Sequence, residues 1–170
     1  MIHALGLTCA IAGPAALLLA ALGFQYLGDL APCPLCIWQR WPHAITFLIG
    51  MVFLIFRWRL AAVSAAATLA IGAMIAAYHV GVEQGLWQGL PNCAGDGIEH
   101  LAGEQLLDFS APLASVVDCS QPAWEFLGVS MAAMNALASF LLSLLWLWLA
   151  INPHRSGQTS TAQASSSASQ

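Results

Sequence analysis

Four cysteines stand where thiol chemistry is possible: Cys33 and Cys36, separated by Pro34 and Leu35, and farther along Cys93 and Cys119. Each pair can give up two electrons by closing a disulfide, and two pairs within reach can exchange disulfide for dithiol. A C-x-x-C disulfide closes a very small loop, so as a static staple it removes little chain entropy. Its spacing is more typical of redox centres, in which one thiolate is stabilised. Arg40 follows Cys36 by four residues, which on a helix puts it one turn along the same face. A fixed positive charge there favours a Cys36 thiolate and any anionic electron acceptor held beside it. The plainer role for Arg40 is an interfacial anchor whose head snorkels to water.

Other readings of these residues stay open. Cys93 and Cys119, taken alone, are equally well read as a brace for the segment between them. A C-x-x-C is also half of a common zinc site, but Cys93 and Cys119 are too far apart to form the second knuckle. Zinc would also compete with oxidation outside the cytosol, so no metal is expected. Cys9 falls inside a hydrophobic run and reads as an inert buried thiol. No flavin, haem or nucleotide fingerprint appears, and His3, His43, His79, His100 and His154 show no haem-like pairing. Electrons leaving a thiol pair at a membrane then point to a lipid-soluble quinone. His79 is either a satisfied polar residue of the core or part of the wall of a quinone pocket.

The elements that position these residues are membrane spans. The chain is 59% hydrophobic and 7% charged, with a mean hydropathy of +0.76, which excludes an ordinary soluble globular domain. Four runs are long enough for helices that cross ~30 Å of hydrocarbon, expected over about 4–27, 37–57, 60–82 and 124–151. The first lacks a basic n-region and is too long for a typical signal-peptide core, so it is read as a retained span. There is no lysine; Arg57 and Arg59 lie between spans two and three, and Arg155 follows span four. The positive-inside rule therefore puts both termini in the cytoplasm and segments 28–40 and 83–123 on the periplasmic side of a bacterial inner membrane. All eight carboxylates fall on that outer side. Trp38, Trp41, Trp87 and Trp124 outside, with Trp58, Trp146 and Trp148 inside, make an interfacial belt.

Each periplasmic loop thus carries one cysteine pair, in an oxidising compartment where disulfides persist. In the longer loop Ile98, Leu101, Leu106, Phe109 and Leu113 recur at roughly helical intervals among acidic residues, which suggests a short amphipathic segment lying on the membrane surface. The acidic balance between Cys93 and Cys119 would steer a basic partner surface. Residues 156–170 are Ser, Thr, Ala and Gln without periodicity, a disordered cytoplasmic tail after a transmembrane domain spanning 1–155. No internal repeat, phosphate-binding glycine loop or basic nucleic-acid patch is present. The expected class is an all-α membrane protein: a four-helix transmembrane bundle with its redox site at the outer end.

Two motifs carry a specific resemblance. Cys33-Pro34-Leu35-Cys36-Ile37-Trp38-Gln39-Arg40 resembles the C-x-L-C-x-x-x-R signature of the disulfide bond formation protein B (DsbB) family. Asp118-Cys119, followed by Trp124-Glu125-Phe126-Leu127-Gly128, is similar to the family's second-loop cysteine and its W-[DE]-F-L-G segment. The likeness covers roughly residues 5–150. It implies a thiol:quinone oxidoreductase acting on a periplasmic thioredoxin-fold oxidase of the DsbA type, with ubiquinone or menaquinone as acceptor; this family is itself the known case of the DsbA–DsbB–quinone chain. Carried over residue by residue, Cys93 is the sulfur attacked by the partner and Cys119 is its disulfide mate. Exchange then links the loops through Cys119 and Cys33, leaving Cys36 to donate to a quinone near Arg40. His79 stays a candidate for the quinone site on its own position and not through the resemblance. Gln39 stands where some relatives have a carboxylate, and no catalytic role is placed on it. Two alternatives remain: a membrane enzyme of the vitamin K epoxide reductase type, against which the early position of the C-x-x-C argues, and a tetraspan protein whose outer disulfides only brace its loops.

Overall fold

The computed structural model describes residues 2–90 and 117–152. Its elements run in the order α1 (Ile2–Tyr26), α2 (Pro34–Phe56), α3 (Arg59–Glu83), β1 (Glu125–Phe126), β2 (Val129–Ser130) and α4 (Met131–Ile151). All four helices are long and apolar enough to cross a membrane. Cys93, the expected amphipathic segment of the second loop and the tail 156–170 lie outside the described residues.

Helix α2 starts at Pro34, ahead of the expected 37, for a local reason. Cys33 is the N-cap: its backbone is extended and its sulfur accepts the Cys36 N–H at 3.2 Å. Proline at the first helical position has no N–H to leave orphaned, and its fixed φ already suits the helix. The far end closes on Arg57, whose left-handed backbone (φ 53°) lets its N–H reach the Phe53 carbonyl.

The bundle closes as a ring: α1 packs on α2 and α4, and α3 packs on α2 and α4. On α3 the buried positions Ala62, Ala65, Ala66, Leu69, Gly72, Ala76 and His79 fall at three- and four-residue intervals, mostly small side chains that let the neighbouring backbones approach. A side-chain carbon at Gly72 would lie 2.9 Å from the Pro42 ring of α2, so the α2–α3 approach depends on that glycine. Outward faces carry Leu19, Leu48, Ile55, Met74 and Leu141, apolar surface of the kind a helix shows to lipid.

Three expectations are corrected here. Cys9 is not buried; it lies exposed on the outward face of α1 that it shares with Leu5, four residues earlier. Trp146 is not part of an interfacial belt. It is fully buried, meets Phe53 edge-on with centroids 5.5 Å apart, and donates its indole N–H to the Ala10 carbonyl at 3.0 Å. The satisfied N–H lets the large ring fill the core, while Trp38, Trp41 and Trp58 remain on the outside. Helix α4 begins at Met131, not at 124. Residues Trp124–Ser130 form a small hairpin in which Glu125 pairs with Ser130 and Phe126 with Val129. Its two turn residues, Leu127 (φ 52°) and Gly128 (φ 78°), both have the left-handed backbone that a two-residue hairpin turn requires. Ser130 then caps α4 by accepting the Ala133 N–H.

Candidate functional site

The cap that starts α2 also assembles the thiol pair. Holding Cys33 at the N-cap and Cys36 in the first turn brings their sulfurs to 2.7 Å, with both residues as free cysteines. Cys33 sits in a buried cluster with Leu35, Val82 and Cys119, against which Cys36, Tyr78 and Val117 pack. Cys119 is fully buried and disulfide-bonded. The sulfurs of Cys33 and Cys119 and a ring nitrogen of His79 all lie within 4.8 Å of one another. The hydrogen shared with Cys36, together with burial, pushes the Cys33 thiol well above its ordinary range. Two sulfurs and an imidazole are donors a soft cation could use. With the Cys119 sulfur held in a disulfide, however, they fall short of the four donors of a structural zinc site.

His79 joins the two halves of this cluster. Its Nε2 lies 3.6 Å from the Cys33 sulfur and 3.8 Å from the Glu83 carboxylate, and the ring also hydrogen-bonds the backbone of Cys119. Its Nδ1 lies 2.7 Å from the Gln39 amide nitrogen. Glu83 in turn accepts a hydrogen bond from Ser130, the cap of α4. The Asp118 carboxylate accepts from the Ser120 N–H and hydroxyl, each at 2.8 Å, which fixes the turn that presents Cys119.

Cys36 faces a cavity of about 400 Å³ between α1, α2 and α4. Its walls are mainly apolar, with Leu17, Leu18 and Phe24 from α1 and Met134 and Ala138 from α4. Arg40, Gln39 and His43 bring polar groups into it from α2, and His79 and Glu83 from α3. Arg40 donates from Nη1 to the Gln25 side chain, and its Nε is buried without a partner. A mainly apolar pocket with a few convergent polar groups is the ordinary form of a small-molecule site.

Of the residues singled out from sequence, Cys33, Cys36, Cys119, Arg40 and His79 come together at one end of the bundle; Cys93 is outside the described residues. Gln39, expected to have no catalytic role, is buried and bridges His79 and Asn135. His43, Asn135 and Glu83 were not anticipated as parts of the site. One signal existed: Cys36, Gln39, Arg40 and His43 recur at three- and four-residue spacing, which marks a single helix face. Nothing in the sequence identified Asn135, because its partners are on α2.

The comparisons agree on one family. The family described as "Disulfide bond formation protein DsbB" matches residues 4–149. A protein named Disulfide bond formation protein B from Methylococcus capsulatus is 36% identical over 156 residues, covering 79% of this chain and 87% of that one. A protein of the same name from an Azoarcus species is 33% identical over 142 residues, covering 79% and 84%. An uncharacterized protein of Rickettsia prowazekii is 29% identical over 134 residues, covering 74% of each chain. No solved structure matches.

Proposed function

This chain belongs to the DsbB family of disulfide bond formation proteins, and from that premise we propose that it oxidises a reduced thioredoxin-fold partner of the DsbA type and passes the two electrons to a membrane quinone. The observation that carries this reading is the placement of Cys33. Its sulfur is within 4.8 Å of that of Cys119 on one side and 2.7 Å from that of Cys36 on the other. Cys36 opens on the cavity. A relay needs that order of contacts.

The residues present fit a quinone. The apolar walls suit a ring and an isoprenoid tail, and the unpartnered Arg40 Nε is a buried donor in need of an acceptor such as a carbonyl oxygen. A bound quinone supplies the sink, taking up the two electrons and two protons that the thiols give up. Arg40 and His79 would hold it, with Cys36 the electron donor.

The chain's own residues carry the steps before that. A partner thiolate attacks Cys93 of the Cys93–Cys119 disulfide and releases Cys119 as a thiolate. Cys119 attacks Cys33 of the Cys33–Cys36 disulfide and releases the Cys36 thiolate beside Arg40, whose charge stabilises it. The second partner thiol then displaces Cys93 and leaves the partner oxidised; the Cys93 thiolate attacks Cys119, restores the Cys93–Cys119 disulfide and frees Cys33, so that Cys33 and Cys36 together are the dithiol whose oxidation to a disulfide yields the two electrons. His79 holds the backbone of Cys119 against Cys33, so the exchange depends on position more than on acid–base chemistry. The cysteine end of the bundle faces the periplasm, and both termini and the arginine end face the cytoplasm.

The test is quinone reduction by the purified protein in detergent, driven by a reduced thioredoxin-fold oxidase, beside Cys36→Ala and Cys93→Ala. Turnover that collapses in both variants is expected. If neither ubiquinone nor menaquinone is reduced and the outer cysteines stay oxidised throughout, the protein is a braced structural one.

A further inference from the structure

Across the bundle below the thiol pair runs a hydrogen-bonded line of buried and half-buried polar side chains from three helices. It begins at His79 on α3, whose Nε2 stands 3.8 Å from the Glu83 carboxylate, passes to Gln39 on α2 and Asn135 on α4, and returns to His43 on α2. The contacts are His79 Nδ1 to Gln39 Nε2 at 2.7 Å, Asn135 Nδ2 to Gln39 Oε1 at 2.6 Å and His43 Nε2 to Asn135 Oδ1 at 2.9 Å. Ser139 adds a hydroxyl to Asn135 Oδ1 at 3.5 Å. Buried polar chains of this kind are costly unless every member is satisfied.

Donor and acceptor rules give the line a direction. The Gln39 amide nitrogen can only donate, so His79 Nδ1 accepts and the ring hydrogen sits on Nε2. His79 Nδ1 is then an acceptor for the Gln39 amide N–H, the Gln39 carbonyl accepts from the Asn135 amide, and the Asn135 carbonyl accepts from His43 Nε2–H. Each bond fixes the sense of the next. At the end of the line His43 is left with a lone pair on Nδ1. That atom is buried and has no partner, in a residue only 4% exposed that lines the cavity.

Cys36, Arg40 and His43 follow each other at four and three residues, so they form one stripe on the cavity side of α2. Arg40 and His43 are separated by roughly 4.5 Å along the axis at 1.5 Å per residue. The two groups differ in kind: Arg40 only donates, whereas His43 Nδ1 accepts.

We propose that His43 is a second anchor of the quinone site, accepting a hydrogen bond from the hydroxyl of the reduced quinol at the oxygen remote from Cys36, and that Asn135 is the positioning residue that holds its tautomer. This rests on the quinone reading above. An acceptor at this place has nothing to bind on the oxidised ring, whose oxygens are acceptors too; it gains its partner only on reduction. The contact therefore favours the reduced over the oxidised form, the kind of differential interaction that drives a bound reaction forward.

The experiment measures binding, not turnover. Affinities of the full-length protein for a short-chain ubiquinone and for its ubiquinol are compared in detergent under anaerobic conditions, for the parent, His43→Phe, His43→Gln and Asn135→Leu. His43→Phe is expected to weaken ubiquinol binding about tenfold and ubiquinone binding less than twofold, a single hydrogen bond's difference. His43→Gln keeps an acceptor and restores most of the loss, and Asn135→Leu weakens ubiquinol binding by a smaller factor. If His43→Phe weakens both forms equally, His43 is only a packing residue; if it weakens ubiquinone more, its Nδ1 donates; either result overturns the inference. Should the variant fail to fold, His43→Gln against Asn135→Leu carries the same comparison. A parent that binds neither form overturns the quinone reading itself, whereas a parent that binds both with no change in any variant overturns only the role of His43 and Asn135.

Discussion

The sulfurs of Cys33 and Cys119 lie within 4.8 Å of each other, both buried, although one belongs to the cap of α2 and the other to the turn that precedes the α4 hairpin. No backbone connection imposes this proximity. It is held by His79, which touches the Cys33 sulfur and the Cys119 backbone at once. In Cys36→Ala, attack of Cys33 on Cys119 displaces the sulfur bonded to Cys119, and no Cys36 thiol remains to resolve the product. A Cys33–Cys119 disulfide should therefore accumulate and appear in peptide mapping under non-reducing conditions. In Cys33→Ala the corresponding Cys36–Cys119 link should be much scarcer. Equal yields of the two would mean that the closeness of Cys33 to Cys119 does not decide the exchange.

Acidity of the first cysteine gives a second prediction. The shared hydrogen and burial push the Cys33 thiol up from its ordinary value of 9.0. A group that holds its proton more tightly folded than unfolded stabilises the fold fully below the unfolded value, and that contribution is lost as pH rises above it. Thermal unfolding of the fully reduced protein should thus shift to lower temperature as pH is raised through 9.0, more steeply in the parent than in Cys33→Ser. Alkylation of Cys33 should stay slow at neutral pH. Parallel pH curves for parent and variant would remove the argument.

Arg40 is tied to Gln25 of α1 through one nitrogen and keeps its Nε for the cavity. Arg40→Gln should raise the quinone KM about tenfold or more, in line with a lost charge-assisted hydrogen bond of about 1.5–3 kcal/mol. Arg40→Lys should recover the charge but not the fork, and so only part of the effect. An unchanged KM in Arg40→Gln would return Arg40 to the role of interfacial anchor.

The close approach of α2 and α3 at Gly72 can be tested without touching the site. A side chain there meets the rigid Pro42 ring, so Gly72→Leu should cost about 1–3 kcal/mol by overpacking. Thermal or denaturant unfolding in detergent reads the loss directly. A variant as stable as the parent would show that the helices separate there without penalty.

Membrane class, the number of long helices and the residues able to do thiol chemistry are all legible in the order of residues along the chain. Those features are local: a run of apolar residues, a C-x-x-C spacing and an arginine one turn on depend on neighbours along the chain. Even the start of α2 was implicit in Cys33-Pro34, since a cap and an N1 proline are chemistry of adjacent residues. Tertiary structure decided what lies across the bundle. Trp146 looks like an interfacial tryptophan from its place near a span end, yet the Ala10 carbonyl on another helix satisfies its N–H and makes it core. Trp124–Ser130 reads as the start of a span because it adjoins apolar residues, and only the left-handed backbone of Leu127 and Gly128 turns it into a hairpin. Of the line from His79 to His43, only the α2 stripe of Gln39 and His43 was legible in one dimension. The partners on α3 and α4, His79 and Asn135, lie far along the chain, and only packing of α2 against those helices brings them to the stripe. Burial makes such partnerships necessary, and the fold alone says which groups are buried together.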